Sequence, residues 1–364
     1  MHAQDPALAT LIDRVLAARA HGSPVEIRGG GTKFFYGEPP KGEPLDVTPL
    51  AGIASYEPTE LVVTVRAGTL LANLEAALEE QGQCLPFEPP RFAAGGTVGG
   101  MVAAGLSGPA RANAGGVRDH VLGLTLLDGR GQLLTFGGQV AKNVAGYDVS
   151  RLMAGSLGVL GVICEVSLKV LPLNRASKTL SFDWDESRAL EQLTLWASQP
   201  LPIAGSAWHA GRLRVRLAGA GAAVTAAAGK LGGTEVAAEA AWDWWTGVRD
   251  QTEGFFSLSG ADLGRGERLW RLSVPSASAP VRLPGEQFIE WNGAQRWWRT
   301  TAGTREVRAA AALAGGHATL IRGADRSGGV FTPVSDVLMR IHRGLKQAFD
   351  PERVFNPGRL YAEL

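Results

Sequence analysis

Residues 25–35, VEIRGGGTKFF, place Gly29, Gly30 and Gly31 directly after a short strand-like run and just before Thr32 and Lys33. In a loop free of Cβ atoms, successive main-chain N–H groups can converge on an anion. Each hydrogen bond to a charged oxygen is worth roughly 1.5–3 kcal/mol net, so a few of them can retain a phosphate without a cationic side chain. A tight turn is the other reading of the same residues. Two nucleotide signatures are absent. A P-loop needs GxxxxGK[ST], and the single Gly-Lys pair, Gly229-Lys230, is followed by Leu231. A Rossmann site needs GxGxxG opening a helix. Here Phe34 stands at the last glycine position, and residues 37–44 are too rich in Pro and Gly for that helix.

Other chemistries find less support. The six histidines, His2, His21, His120, His209, His317 and His342, share no HxH or HExxH spacing, so no metal site is expected. No GxSxG elbow occurs. Cys84 and Cys164 form no CxxC and read as buried small hydrophobes in a reducing, cytoplasmic chain. Glycine is the compositional outlier, at 48 of 364 residues, where average usage of ~7% predicts about 25. Seventeen of them fall between Gly95 and Gly161, interleaved with strand and helix patterns. Backbone packed against a ligand accounts for such a concentration.

The elements that must position these loops can be read in order. Asp5-Pro6 opens a helix that Gly22 ends, with Leu8, Leu11, Ile12, Val15 and Ala18 on one face. Residues 25–28, 45–47 and 61–65 read as strands. Thr69 is expected to cap a second helix with Leu71, Leu74 and Leu78 inward. Residues 95–108, GGTVGGMVAAGLSG, suggest a short helix with glycines on its contact face. DGRG joins strands at 121–127 and 132–136, and residues 162–170 form a further strand. All ten tryptophans lie between Trp184 and Trp298, which marks a second, α+β domain at 175–325 built mainly on tryptophan packing. A last helix near Pro333 has Val334, Val337, Leu338, Ile341, Leu345 and Phe349 as its apolar face, and Asp350-Pro351 stops it.

Composition excludes other classes. Apolar residues are 45%, charged residues 20%, and the net charge is +1. That fits a globular chain, without the basic face of a nucleic-acid binder or electrostatic support for membrane docking. The most apolar run, 217–229, is mostly Ala and Gly and falls short of the ~20 residues of a span. No transmembrane segment and no signal peptide are expected.

Three separated pieces agree in order and spacing: RGGGTK at 28–33, GGTVGGMVAAGLSG at 95–108 and GSLGVLGVICEVSLKVLP at 155–172, with NPGRLY near the end. Together they resemble the FAD-binding domain of the vanillyl-alcohol oxidase, or PCMH, type. The run VAKNVAGYDVSRLMAGSLGVLGVI is similar to the branch of D-lactate dehydrogenases and glycolate oxidases. The short length points to the smaller, FAD-binding subunit type of bacterial glycolate oxidases.

The resemblance implies an α+β fold: a two-subdomain FAD domain at 1–174, a cap at 175–325, and a C-terminal segment at 326–364 returning to the FAD domain. It implies that Gly29, Gly30, Gly31 and Thr32 cradle the FAD pyrophosphate. Gly95, Gly96, Thr97, Gly99 and Gly100 would lie against pyrophosphate and isoalloxazine. Gly158, Gly161, Val162 and Ile163 would meet the adenine–ribose end and the flavin edge, and Asn356 would bring the tail back. Neither glycine loop carries the histidine or cysteine that tethers flavin in many relatives, so noncovalent FAD is implied.

The implied activity is oxidation of a small 2-hydroxy acid such as glycolate to glyoxylate. The implied partners are a larger flavin subunit and an iron–sulfur subunit, through which a cytoplasmic chain would associate with a membrane. The HxGDGNxH cluster of larger relatives is missing; GGHATLIRG offers His317 alone. A non-catalytic, assembling subunit therefore stands as the alternative, with a reductase of the UDP-N-acetylenolpyruvoylglucosamine type behind it. No catalytic residue is assigned; His209 and Arg91 are bare candidates for the base and the carboxylate cation.

Overall fold

The computed structural model describes residues 5–138 and 147–364, so His2 and residues 140–146 of the KNVAGYD-containing run lie outside the described residues. The Asp5 carboxylate accepts from the N–H groups of Ala7 and Leu8 and opens the helix Pro6–His21; Gly22, at φ 62°, closes it in the left-handed conformation. Its inward face, Leu8, Leu11, Val15 and Ala18, packs with Leu45, Val162 and Phe355. This core supports a parallel strand pair, Val25–Arg28 with Glu43–Asp46. The triple glycine is the exit of the first of these strands.

A five-stranded antiparallel sheet follows, in the order Ile53–Glu57, Val62–Arg66, Val162–Lys169, Val121–Leu127, Leu133–Gly137. The helices Leu71–Glu79 and Val98–Ala104 cover it, burying Leu71, Leu74, Leu78, Met101 and Val102 against Val63, Val65 and Val166. Thr69 does not cap the first of these helices. Leu70 holds that position, while the Thr69 hydroxyl accepts from the Gly52 N–H at 2.9 Å and donates to the Gly52 carbonyl at 3.1 Å. The hydroxyl is spent on a loop 17 residues away, a partner that sequence distance hides.

The third layer is an eight-stranded sheet built from Ala176–Asp183 through His317–Arg322, antiparallel throughout. Trp270 and Trp298 face each other across one pair of its strands and are fully or nearly buried. Trp242, 72% exposed, departs from the packing role. Of the cysteines, Cys164 is buried and Cys84 is only half-buried, because the two-residue strand Gln83–Cys84 lies at the rim against Leu171–Pro172. Burial pushes the Cys84 thiol up to about 11 and the Cys164 thiol up to about 12. Neither is a nucleophile at neutral pH.

The chain then returns. Ser335 caps the helix Asp336–Phe349. Leu345 and Phe349 pack on the core of the five-stranded sheet, but Val337, Leu338 and Ile341 stay about half exposed. The apolar face read from the sequence is thus covered at one end only. Lys346 is buried in its place, its Nζ donating to the carbonyls of Val159 and Phe355 and to Asp350, at 2.7–2.8 Å.

Candidate functional site

Two glycine loops meet where the parallel strand pair adjoins the five-stranded sheet. A Cβ on Gly30 would lie 1.5 Å from the Gly95 carbonyl oxygen, and one on Gly29 would lie 2.4 Å from Thr97 Oγ1. Only glycine permits this approach. The second loop is pinned by three main-chain bonds: Leu71 N–H to Gly96 O at 2.8 Å, Val98 N–H to Thr69 O at 2.9 Å, and Gly99 N–H to Ala67 O at 2.7 Å. Thr97 Oγ1 accepts from Gly100 N–H and caps the helix Val98–Ala104. Gly99 serves packing, since a Cβ there would stand 2.6 Å from that of Ala67.

What the loops leave unused is more informative. Among the described residues, no acceptor takes the main-chain N–H of Gly29, Gly30, Gly31, Thr32 or Lys33, nor that of Gly95, Gly96 or Thr97. Gly30 and Gly95 are exposed, Thr97 is buried and the others are partly buried, so most of these donors stand open to water or to a ligand. A Cβ on Gly96 would make only ordinary contacts, with Thr32 Oγ1 at 3.4 Å and with the Arg91 carbonyl and Lys33 Nζ at 3.9 Å. The ammonium of Lys33 donates to Thr32 Oγ1 at 3.3 Å and sits 5.5 Å from the Phe92 ring centre. Burial brings its pKa down to about 8, against a partly opposing pull from Asp250. Eight unpaired N–H groups on two loops that touch at Gly30 and Gly95, with the Lys33 cation beside Gly96, are a donor set suited to a diphosphate.

The third segment is placed differently. Gly158 is buried at φ 74°, and a Cβ on it would lie 2.7 Å from Asn356 Nδ2. Gly161 is buried, and Val162 and Ile163 pair with Leu127 and Leu126 inside the sheet, their side chains in the core. Only main chain is available there to a ligand. Asn356 ties the pieces together: Ile27 N–H donates to its Oδ1 at 2.8 Å, and its Nδ2 donates to Leu157 O at 2.6 Å. The tail thereby holds the strand that leads into the triple glycine.

A narrow cavity opens between the two glycine-loop exits and the eight-stranded sheet, lined among others by Phe35, Tyr36, Phe92, Arg271, Glu290 and Trp297. Burial pushes the Glu290 carboxyl up to about 7, although Trp297 Nε1 and Gln295 Nε2 both donate to its Oε2, at 2.6 and 3.0 Å. Arg271 Nη2 donates to the Tyr36 hydroxyl at 3.1 Å, while its Nε has no partner among the described residues. The sequence reading missed Glu290, Arg271 and Tyr36, which lie in ordinary strand and loop patterns. Lys33 it quoted without a role.

The two bare candidates lie otherwise. His209 Nε2 meets Glu286 at 2.7 Å and its ring packs on Phe255 and Phe288. The Arg91 guanidinium pairs with Glu75 at 2.5 Å, and its N–H donates to Asp250 at 2.8 Å. Among the described residues no three His, Cys, Asp or Glu side chains group as a metal site, and no helix is long and apolar enough to cross a membrane.

Residues 8–137, which carry both glycine loops of the cradle, match the family model described as FAD binding domain. Over 354 residues, 97% of either chain, the sequence is 48% identical to glycolate oxidase subunit GlcE of Escherichia coli K12. The chain belongs to the family of this subunit. Glycolate oxidase subunit GlcD of Bacillus subtilis is 33% identical over 172 residues, 46% of this chain and 36% of its own. A D-lactate dehydrogenase of Anaerostipes hadrus is 34% identical over 142 residues, 39% of this chain and 29% of its own. Two solved structures of alkyldihydroxyacetonephosphate synthase superpose at TM-scores of 0.63 and 0.64, covering 98% and 99% of this chain and 76% of theirs. At 14% and 15% identity that likeness is one of fold. The fold is thus the PCMH-type FAD-binding domain with an α+β cap, and the protein is an FAD-linked oxidoreductase subunit.

Proposed function

We propose that this chain is the FAD-carrying subunit of a glycolate oxidase complex that forms glyoxylate. The observation that carries this reading is the pair of touching glycine loops with eight unpaired main-chain N–H groups. On this reading residues 1–174 hold the cofactor, 175–325 cover it, and 326–364 return to brace it. FAD held there would supply the two-electron oxidation chemistry that a 2-hydroxy acid needs. Neither glycine loop carries a histidine or cysteine that could tether the flavin, so the association is noncovalent. The interdomain cavity offers a cation in Arg271 and a proton acceptor in Glu290, the two groups that oxidation of an α-hydroxy acid needs. They replace Arg91 and His209, which are engaged elsewhere.

A second reading, in which the chain mainly assembles the complex, is favoured by one observation. The exposed Val337, Leu338 and Ile341 form a stripe on the helix Asp336–Phe349, beside an open groove lined by Phe331, Val334 and Tyr361. Such a patch suits a protein partner. The partners on this reading are a larger flavin subunit and an iron–sulfur subunit, with a cytoplasmic location for the whole. The deciding experiment has two arms. The visible spectrum of the isolated chain is recorded, and glycolate-dependent dye reduction is assayed with the neighbouring subunits, with and without this chain. A yellow chain required for turnover is the expected result. A colourless chain that still restores turnover would leave assembly as its role.

A further inference from the structure

Lys33 brings an ammonium to the cradle, bonded only to Thr32 Oγ1 among the described residues, and no carboxylate among them forms an ion pair with it. The carboxylate whose charge acts on it, Asp250, is already engaged. Asp250, at the end of the helix Ala238–Asp250, binds Arg249 at 2.8 and 3.1 Å and the Arg91 N–H at 2.8 Å. Glu75, on the helix Leu71–Glu79, takes the Arg91 guanidinium. Arg28 stacks on Phe34 and binds Glu26. A half-buried cation without its own counter-ion is costly unless a ligand brings one. The unpaired N–H groups of residues 29–32 precede it in the same loop, and its Nζ lies 3.9 Å from where a Cβ on Gly96 would stand.

We propose that Lys33 is the side-chain cation that holds the diphosphate of FAD in this cradle. The inference rests on the FAD reading above and adds a residue to it, since main chain alone was credited with the anion. A diphosphate at Nζ stabilises the protonated form. With the free chain holding Lys33 near pKa 8, FAD binding draws a proton from solution above that pH and none at pH 7. At pH 9 the uptake is a large fraction of one proton per FAD.

The test uses the full-length, flavin-stripped chain. Affinity is read from flavin fluorescence at pH 7, and proton uptake from calorimetry at pH 9 in two buffers of different ionisation enthalpy. ADP serves as a second probe that has the diphosphate and lacks the flavin ring. Lys33→Met is expected to weaken both FAD and ADP about 10- to 100-fold, as loss of one charged hydrogen bond does, and to abolish the uptake. Lys33→Arg keeps the charge at all pH values, so it should restore affinity to within a few-fold while still showing no uptake. A purely structural lysine would not separate the two readouts in this way.

Wild-type affinity in Lys33→Met, or no proton uptake by wild type at pH 9, overturns the proposal. So does a loss confined to FAD with ADP unaffected, which would put Lys33 at the ring. A wild-type chain that binds neither probe overturns the FAD reading together with it, an outcome distinct from the others.

Discussion

At the scale of single residues, the glycines of the cradle divide into two kinds. Gly30 is required by the protein itself, because a Cβ would strike the Gly95 carbonyl. Gly96 is not, because a Cβ there would make only ordinary contacts. Gly96→Val should therefore lose FAD while its melting temperature stays within a few degrees of wild type, and Gly30→Ala should lower both. Flavin content at full fold, read by absorbance and circular dichroism, checks this; undiminished flavin in Gly96→Val would refute the placement. Glu290 makes a second residue-scale prediction. Its folded pKa, about 7, stands above the ordinary 4.5, with burial as the main cause and the negative charge of Glu88 adding to it. Between those pH values the folded state holds a proton that the unfolded chain has released. Stability therefore falls as pH rises through that window, by on the order of 3 kcal/mol. Glu290→Gln should flatten that slope in urea midpoints measured from pH 4.5 to 7.5.

Elements carried the next level of information, and local chemistry made most of them legible. Asp5-Pro6 and Gly22 mark the two ends of the first helix because caps act within one turn. DGRG closes the hairpin between Val121–Leu127 and Leu133–Gly137, with Asp128 accepting from Arg130 and Gln132. Thr69 misled because its hydroxyl bonds Gly52 rather than its own helix. The tail could be read only as a turn-rich end with a returning Asn356. Its two side-chain bonds, to Ile27 and Leu157, span 329 and 199 residues. Removing them in Asn356→Ala should cost about 2–4 kcal/mol and loosen the strand that feeds the triple glycine. A lower denaturant midpoint together with weaker FAD retention is the expected result. A stability loss with unchanged FAD affinity would confine Asn356 to bracing.

For the whole molecule, the question is what the exposed face of the helix Asp336–Phe349 meets. Its relative in Escherichia coli is named as a subunit, and a stripe of half-exposed Val337, Leu338 and Ile341 is costly to leave in water, at about 25 cal/mol per Å². Ile341→Glu is expected to leave melting and flavin content unchanged and to abolish co-purification with the neighbouring subunits. Unaltered co-purification would move the contact elsewhere.

By itself the sequence determined whatever rests on local chemistry: the caps of the first helix, the hairpin, and the glycine clusters with the family they resemble. Each depends on residues within a few positions of one another or on a pattern held in order. Tertiary structure alone decided that Gly30 touches Gly95, that Lys33 reaches Gly96, and that Arg271 and Glu290 line one cavity. It also decided that the apolar face of the last helix is only half covered. The physical reason is the same in each case. Unpaired donors, uncompensated charge and uncovered apolar surface are properties of what surrounds a residue, and those surroundings come from chain segments far away in sequence.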